Sequence, residues 1–549
     1  MLRSCRSLIR PFGPPSPGGR RTLLYLLLFL MLAAMPVLAQ TPKGALASLI
    51  ETGNRKAALE RIRAGADVNE AQPDGTRPIH WAVYKVDYEL LQALIAKKAT
   101  VNVRNEFGAT PIAQAASVGD TRLVKMLLDA GAEPEGPNPD GQTALMLAVK
   151  AGEPAVVEML IKAGASVNTV ERFHDQTPLM WAATAPRNAG AMVKLLLASG
   201  ADLKPRARFT DWPSQITSEP RAQYRPTGGL TAFLYAARDG CYDCVDALIS
   251  AGADINLPTP EGVTALILAL DNDHNDVAKL LLDRGANPQL WDWWGRTPLY
   301  IAIDRKEFAR ANAQSVPPFK VSSMEIIDAL LAAGVDINPQ LNMHRPSRSG
   351  NGGRFIDPLL NTGCTPLMRA VIGQPIPPTP IGGDVEVAQA LLAKGANPKI
   401  SAMGLTPFLV AAGVGAGSSA GTGGTGLALE RSRGGPINME LVELLLQHGA
   451  NVNDQVTGTR TYALRVTRAP SANEGRTALH VAVLDGNTNL VRYLLSKGAD
   501  TEIKDAGGLK AIDLAGSKAI GGNRTDDQPV APATVAEIKS LLESATSRK

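Results

Sequence analysis

A short pattern closes one leucine-rich run after another along this 549-residue chain. A glycine, or once Lys98, follows the run, and alanine usually comes next. The glycines are Gly65, Gly131, Gly164, Gly200, Gly252, Gly285, Gly334, Gly395, Gly449 and Gly498. Positions 65, 98, 131 and 164 are each 33 residues apart, as are 252 and 285. This fixed period indicates an array of small units, none of which buries its apolar face alone. An array offers a long surface, so binding is the expected kind of function.

The net positive charge of the chain comes from its first residues. The formal net charge is +4, but residues 1–39 hold five arginines and no acidic residue. The remainder therefore has 51 basic and 52 acidic residues. A nearly neutral body lacks the basic surface that nucleic-acid binding needs, so we expect no nucleic-acid partner.

The N-terminal segment has the features of an export signal. Arg20 and Arg21 precede an apolar stretch at 23–32, and Val37 and Ala39 are small residues at the positions a signal peptidase reads. We expect residues 1–39 to be a signal peptide cleaved after Ala39, giving a periplasmic or secreted protein. The alternative is an uncleaved anchor, because residues 23–39 reach the lower end of the roughly 17–25 residues of a spanning helix. The body would then be tethered to the inner membrane.

Residues 108–140 show how one unit is built. Thr110 is suited to cap a helix whose first turn accepts Pro111. Gly119 ends that helix, and Val124, Leu127 and Leu128 form the apolar stripe of a second one, which Gly131 stops. Each unit is therefore predicted to be a helix, a tight turn, a second helix and an extended finger.

These units resemble the ankyrin repeat family. Residues 177–183 read Thr-Pro-Leu-Met-Trp-Ala-Ala, residues 477–482 read Thr-Ala-Leu-His-Val-Ala, and Gly-Ala-Asp-x-Asn endings occur at 65–69 and 252–256. The resemblance extends over residues 44–545 and implies an all-α solenoid of about twelve repeats. It implies a curved stack whose first helices and fingers line a concave face, a protein partner, no cofactor, no bound metal and no catalytic residues.

The array is interrupted by extra segments, which set the predicted organisation. Those at 205–227, 339–361 and 454–473 lengthen fingers, whereas those at 309–322, 374–382 and 413–436 lengthen the turn between two helices. After the segment 1–39 we expect regular repeats at 40–204, an insertion at 205–227 and central repeats at 228–308. Irregular repeats with Gly-, Pro- and Ser-rich insertions follow at 309–474, and terminal repeats with a cap at 475–549.

Aromatic residues at finger tips are the first candidate binding site. Aligning the repeats places Trp293 and Trp294 at the two variable tip positions, with Trp291 just before them and Phe107 on an earlier tip. Tryptophan is the residue most enriched in binding hot spots, which favours a partner site. The alternative is that these rings pack on the neighbouring insertions.

A second candidate row lies on the first helices. One position of successive repeats holds Trp81, Gln114, Leu147, Trp181 and Tyr235, and later Leu268, Ile301, Arg369, Val410 and Val481. The large early residues either pack half-buried between adjacent helices or form the floor of a groove for a peptide.

Three cysteines lie beyond residue 39. Cys241 and Cys244 open a second helix, where residues three apart have Cα atoms roughly 5 Å apart, within the range of a disulfide. A structural disulfide, a redox-active pair and two free thiols all remain open. Cys364, near a finger, is expected to be a lone exposed thiol.

The histidines do not suggest chemistry. His80 and His480 occupy the fourth position of the repeat signature, where the ring is expected to bond a neighbouring repeat, and no pair has metal-ligand spacing. We therefore expect a non-catalytic, monomeric scaffold outside the cytosol. The alternatives are an envelope scaffold for a redox enzyme, in which Cys241 and Cys244 take part, and a secreted effector acting on host proteins.

Overall fold

The computed structural model describes residues 45–209, 228–311, 320–342, 363–373, 382–402, 404–414, 437–457, 462–463, 466–467, 473–517 and 530–547. The predicted signal at 1–39 and most of each predicted insertion lie outside these residues. The division into regions at 204, 227, 308 and 474 therefore stays a prediction.

The described residues form eleven successive helix pairs, followed by a 3-10 helix and a last α-helix. The first six pairs are α1 (Leu46–Glu51) and α2 (Arg55–Arg63), α3 (Pro78–Tyr84) and α4 (Tyr88–Ala96), α5 (Pro111–Val118) and α6 (Thr121–Asp129), α7 (Ala144–Ala151) and α8 (Pro154–Lys162), α9 (Pro178–Ala183) and α10 (Ala189–Ala198), α11 (Ala232–Asp239) and α12 (Tyr242–Ser250). The next five pairs are α13 (Ala265–Asp271) and α14 (Asn275–Asp283), α15 (Pro298–Ala311) and α16 (Ser323–Ala332), α17 (Pro366–Ile372) and α18 (Val385–Ala393), α19 (Pro407–Ala411) and α20 (Met439–Gln447), α21 (Ala478–Leu484) and α22 (Thr488–Ser496). The final unit joins the 3-10 helix Ala511–Leu514 to α23 (Pro532–Thr546). The prediction of about twelve repeats in an all-α solenoid is confirmed.

Among the residues that the structure describes, regular strands are confined to one short hairpin. β1 (Tyr462–Ala463) and β2 (Val466–Thr467) pair antiparallel, within the predicted insertion at 454–473. This hairpin is an addition to a finger and leaves the helical stack unchanged.

Threonine starts most first helices in the way the sequence predicts. The Thr110 hydroxyl accepts a hydrogen bond from the Ala113 amide at 3.2 Å, and Pro111 follows it at the first helical position. At the other end of the pair, Gly131 has the positive φ of +87° that a side chain rarely tolerates. Lys98 takes the same conformation, at φ +64°, in the position that glycine fills elsewhere.

Adjacent repeats are joined by a ladder of hydrogen bonds at the base of the fingers. In each rung, a side-chain oxygen of one finger accepts from a backbone amide of the next. The rungs are Asn69 to Thr100, Asn102 to Glu133, Glu135 to Ser166, Asn168 to Asp202, Asn256 to Asn287, Gln289 to Asp336, Asn338 to Asn397 and Asn453 to Asp500. These bonds set the register of the stack, because each finger fits only onto its neighbour.

A single apolar core runs along the stack between the helices, from Leu46 to Leu542. A second, smaller cluster consists of Tyr300, Leu341, Cys364, Met368 and Ala402. Cys364 is fully buried in it, and its sulfur accepts from the Tyr300 hydroxyl at 3.9 Å. The expectation of an exposed thiol was therefore wrong, because side chains from three repeats close over this position.

Charged groups are buried where the later repeats meet. Helix α15 has 14 residues and is longer than the other first helices. Its Asp304 accepts from the Arg369 guanidinium at 2.7 Å, and Arg369 also donates to the Gly373 carbonyl at 2.6 Å. Arg369 is 1% exposed and Asp304 is 5% exposed. Burial lowers the pKa of Arg369, but Asp304, Tyr300 and Glu307 together raise it above its ordinary value, so this arginine stays charged.

Candidate protein-binding surface

The finger tips lie in a row in which several tips are hydrogen-bonded to the preceding one. The Glu106 amide donates to the Asp74 carbonyl at 2.8 Å, and the Trp293 amide donates to the Glu261 carbonyl at 2.9 Å. Equivalent bonds join the tips at Arg172 and Asp140, Arg208 and His174, Asn342 and Trp294, and Ala506 and Glu474. We call this row of tips the finger row. Its backbone is fixed by these bonds before any partner arrives.

Several tips are also held from beneath by a side-chain acceptor. Asp292 is fully buried, and its Oδ1 accepts from the Trp294 amide at 3.1 Å and the Arg296 amide at 2.9 Å. Glu171, 1% exposed, accepts in the same way from the Phe173 amide at 2.8 Å. A buried carboxylate that receives several amides makes a rigid loop, since losing any of these bonds strands a charge.

The three tryptophans of one tip have different surroundings. Trp291 is 56% exposed and Trp293 is 65% exposed, so both rings project into solvent. Trp294 is half-buried, with its ring 5.3 Å from the Arg296 guanidinium. The structure thus leaves two of the three predicted tip rings exposed to solvent and one half-buried.

Comparison with an earlier tip explains the position of Trp294. Phe107 occupies the equivalent place, just before the turn glycine, and is 71% exposed. It is followed two residues later by Ala109, whereas Trp294 is followed by Arg296. The guanidinium gives the indole a surface on which to pack, and alanine offers none.

Arg296 is itself fixed by two carboxylates. It donates to Asp292 Oδ2 at 2.7 Å and to both oxygens of Asp271 at 2.9 and 3.1 Å. Burial alone would lower the pKa of Arg296, but the two carboxylates raise it above its ordinary value. Burial raises the pKa of Asp292, and Arg296 works against that rise. The tip is therefore held by a buried ionic network.

Two exposed rings on the finger row were missed by the sequence reasoning. Phe173 is 64% exposed and Phe209 is 48% exposed, on the tips between Phe107 and the tryptophans. The Phe173 ring contacts His174 edge to face, with centroids 4.4 Å apart. The hydrogen-bonding residue two positions earlier, Glu171, was the available signal, because Asn105 stands in the same relation to Phe107.

The predicted row on the first helices becomes more buried along the stack. Trp81 and Trp181 are half-buried, and the Trp81 indole donates to Gln72 at 2.8 Å. Tyr235 is only 9% exposed, and its hydroxyl accepts from Gln176 at 2.9 Å. Tyr235 is therefore part of the packing and does not form an open floor, because Gln176 from the preceding repeat and Arg238, 4.8 Å from the ring, lie against it.

The early part of this row retains unpaired polar atoms. Among the described residues, the Gln114 Oε1 atom and the Trp181 Nε1 atom are buried without a hydrogen-bond partner. A buried polar group without a protein partner is costly and is satisfied by water or by a bound molecule, so these two atoms are candidates for contacts with a partner. The concave face near these two residues therefore belongs with the finger row as a candidate surface.

Other polar groups have structural roles. His80 Nδ1 accepts from the Arg77 amide at 3.0 Å, and its Nε2 lies 3.2 Å from the Ala109 carbonyl of the next repeat. This confirms the predicted bond between repeats.

Within the described ranges, no cluster of three or more His, Cys, Asp or Glu has the arrangement of a metal site. The helices described here also include none long and apolar enough to cross a membrane.

Paired helices stacked through their fingers define the class of protein as a helical repeat solenoid. Family models for ankyrin repeats in groups of three match residues 45–138, 112–207, 220–316 and 408–505, and a single ankyrin repeat model matches 362–402. These matches cover well over half of the chain. The protein belongs to the ankyrin repeat family.

Individual relatives match only parts of the chain. Dog (Canis lupus familiaris) Inversin is 40% identical over 78 residues, which are 14% of this chain and 7% of Inversin. Human mitochondrial disaggregase is 32% identical over 190 residues, 33% of this chain and 24% of that protein. A crystal structure of the human ASB11 ankyrin repeat domain aligns with a TM-score of 0.37 and 24% identity, covering 45% of this chain and 100% of the domain. The chain thus spans less than a third of either relative, and the similarity concerns repeats.

Proposed function

We propose that this protein is a non-catalytic scaffold that binds a partner protein through its finger row and the adjacent concave face. Ankyrin repeat proteins are in general binding scaffolds, because a stack of repeats provides an extended surface without an enclosed pocket. The observation that carries the proposal is the row of exposed aromatic rings on the tips. These are Phe107, Phe173, Phe209, Trp291 and Trp293.

The exposure of these rings is unusual for a soluble surface. Most other large apolar side chains in the described residues are buried in the continuous core, so the chain has the packing capacity to bury such groups. Aromatic rings that stay exposed on a fixed backbone supply large contact area with few rotatable bonds. The tips need little ordering on binding, which lowers the entropic cost of association.

Affinity capture with paired variants tests the proposal. Trp291→Ala/Trp293→Ala removes two exposed rings and should leave the melting temperature nearly unchanged, since neither ring is packed. We expect this variant to lose the partner that the wild-type protein retains. Tyr242→Ala, which removes a ring that is 45% exposed at the start of α12, is the matched control and should retain it. Equal recovery of every partner by all three proteins would refute the proposal.

We further propose that the scaffold acts outside the cytosol as a periplasmic or secreted monomer. The support is the arginine-flanked apolar segment that ends at Ala39. The intact mass of the mature protein tests this proposal: loss of residues 1–39 supports export with cleavage. A full-length protein found in the membrane fraction would instead support a tether formed by residues 23–39, and a full-length cytosolic protein would contradict both.

A further inference from the structure

The start of α12 carries a feature that partner binding does not use. Cys241 is the N-cap residue of this helix and Cys244 is its third residue. The structure joins them in a disulfide, with Cα atoms 5.2 Å apart. Cys241 is half-buried and lies beside the exposed residues Tyr242 and Asp243, whereas Cys244 is fully buried. The sulfur of Cys241 is therefore the more accessible of the two.

Other repeats show what the N-cap position normally does. In six of them, the N-cap side chain of the second helix accepts a hydrogen bond from the amide of the third helical residue. The pairs are Asp87 and Leu90, Asp120 and Leu123, Ser322 and Glu325, Asp384 and Val387, Asn438 and Leu441, and Asn487 and Leu490. The bond from Leu123 to Asp120, at 2.8 Å, is representative.

Cys241 accepts no such bond in the disulfide form. Its sulfur is joined to Cys244, the same residue whose amide occupies the third helical position. Reduction would release the Cys241 sulfur as a thiolate at the place where aspartate caps the equivalent helices. A negative charge there is stabilised by the free amides and the positive end of the helix.

Neighbouring charged residues also act on a Cys241 thiolate, in addition to the amides at the start of the helix. Asp243 lies two residues after Cys241, packs against Gly190 of α10, and opposes a nearby thiolate. His274, the N-cap residue of α14, lies against Gly240 and favours the thiolate when protonated. Arg238 and Asp239 at the end of α11 are paired with each other at 2.6 Å. The free backbone amides at the start of α12 therefore remain the groups that stabilise a negative charge on Cys241.

We propose that Cys241 and Cys244 form a thiol–disulfide exchange site that oxidises dithiols. One thiolate of the dithiol attacks Cys241 Sγ, the bond between the two cysteines breaks, and Cys244 leaves with the electron pair and takes up a proton. The second thiol of the dithiol then loses its proton. It attacks the first sulfur of the same dithiol, which is bonded to Cys241 in the mixed disulfide, and expels Cys241 as a thiolate. The dithiol loses two electrons and two protons; the chain gains both electrons, Cys244 keeps one proton, and the other goes to solvent.

This reaction is favoured because the fold stabilises its product. A disulfide whose reduced form is stabilised is a good oxidant, whereas a structural disulfide resists reduction by glutathione. The inference does not depend on the proposed partner surface, since the disulfide is on a second helix and the finger row is formed by the loops after those helices.

The test uses the full chain in its oxidised form. The protein is equilibrated in glutathione redox buffers and then with dithiothreitol, quenched by alkylation, and analysed by peptide mapping. We expect the Cys241–Cys244 disulfide to be reduced at glutathione ratios that leave structural disulfides intact, and dithiothreitol to be oxidised one-for-one. A disulfide that persists in reduced glutathione would overturn the proposal.

A variant tests the physical cause separately. Cys244→Val places at this position the residue found at the equivalent Val156 and Val387, and it leaves Cys241 as a free thiol with the capping amide in place. We expect unchanged melting temperature, no exchange, and alkylation of Cys241 with a half-maximal rate below about pH 7.5. An ordinary thiol profile, centred at about pH 8.5, would show that the helix start does not stabilise the thiolate and would also refute the proposal.

Discussion

Replacing the buried carboxylate beneath the tryptophan tip tests how the candidate surface is held. Asp292→Ala removes an acceptor for two backbone amides and for the Arg296 guanidinium. Asp292 is fully buried, so water does not replace these bonds while the tip keeps its conformation. We expect the local free energy of opening at this finger to fall.

The magnitude follows from the type of interaction that is lost. Removing one partner of a buried ion pair costs about 3–5 kcal/mol. Arg296 keeps Asp271 as a second partner, which favours the lower end of this range. A loss of about 3 kcal/mol corresponds to a roughly 100-fold larger population of the open tip.

Hydrogen exchange measured by mass spectrometry provides the assay, because repeat proteins open locally. Amides of residues 290–297 should exchange about 100-fold faster in Asp292→Ala than in the wild-type protein, when exchange is limited by the open population. Trp293→Ala, which alters an exposed ring on the same tip, is the control and should change these rates little. If Asp292→Ala exchanged within about threefold of the wild type, the view that this carboxylate fixes the tip would be wrong.

Three further predictions concern the stack. Burial lowers the pKa of His80 and of His480. Below pH 6.5 the unfolded state therefore binds more protons than the folded state. The free energy of unfolding should fall on acidification by at most about 1.4 kcal/mol per pH unit for each histidine. The variant His80→Gln/His480→Gln should flatten a plot of melting temperature against pH. Gly475→Ala should destabilise the last fingers, because φ is +77° and a Cβ would lie 2.4 Å from the Ala506 amide nitrogen; unchanged urea unfolding would contradict this. Arg369→Ala should cost about 3–5 kcal/mol in urea unfolding because it removes the guanidinium that pairs with the buried Asp304 carboxylate, and a stability loss below about 1 kcal/mol would show that the pair is dispensable.

The repeat pattern predicted most of the fold because its determinants are local. Helix starts at threonine and proline, and helix ends at glycine, depend on residues within a few positions of each other. The period then places each helix against its equivalent in the next repeat. The ladder at the finger bases requires only a polar side chain at a fixed place in each unit.

Burial at particular positions was less predictable because it depends on other repeats. Cys364 is enclosed by Tyr300 and Ala402, which are far from it in the sequence. Tyr235 is buried by contacts that include Gln176, across the predicted insertion. Trp294 is half-buried beside Arg296 and against the core, whereas Phe107 at the equivalent place is exposed. An alignment of the fingers alone does not reveal these contacts.

The ladder at the finger bases also determines how the protein would respond to a pulling force. A load along the axis passes through each rung of the ladder in series, so the weakest rung sets the force at which the stack first yields. Asn102 both accepts from Glu133 and donates to the Gly131 carbonyl at 3.0 Å, whereas Glu135 at the next rung supplies a carboxylate that only accepts. Under tension, we expect the rung between Glu135 and Ser166 to break before the rung between Asn102 and Glu133.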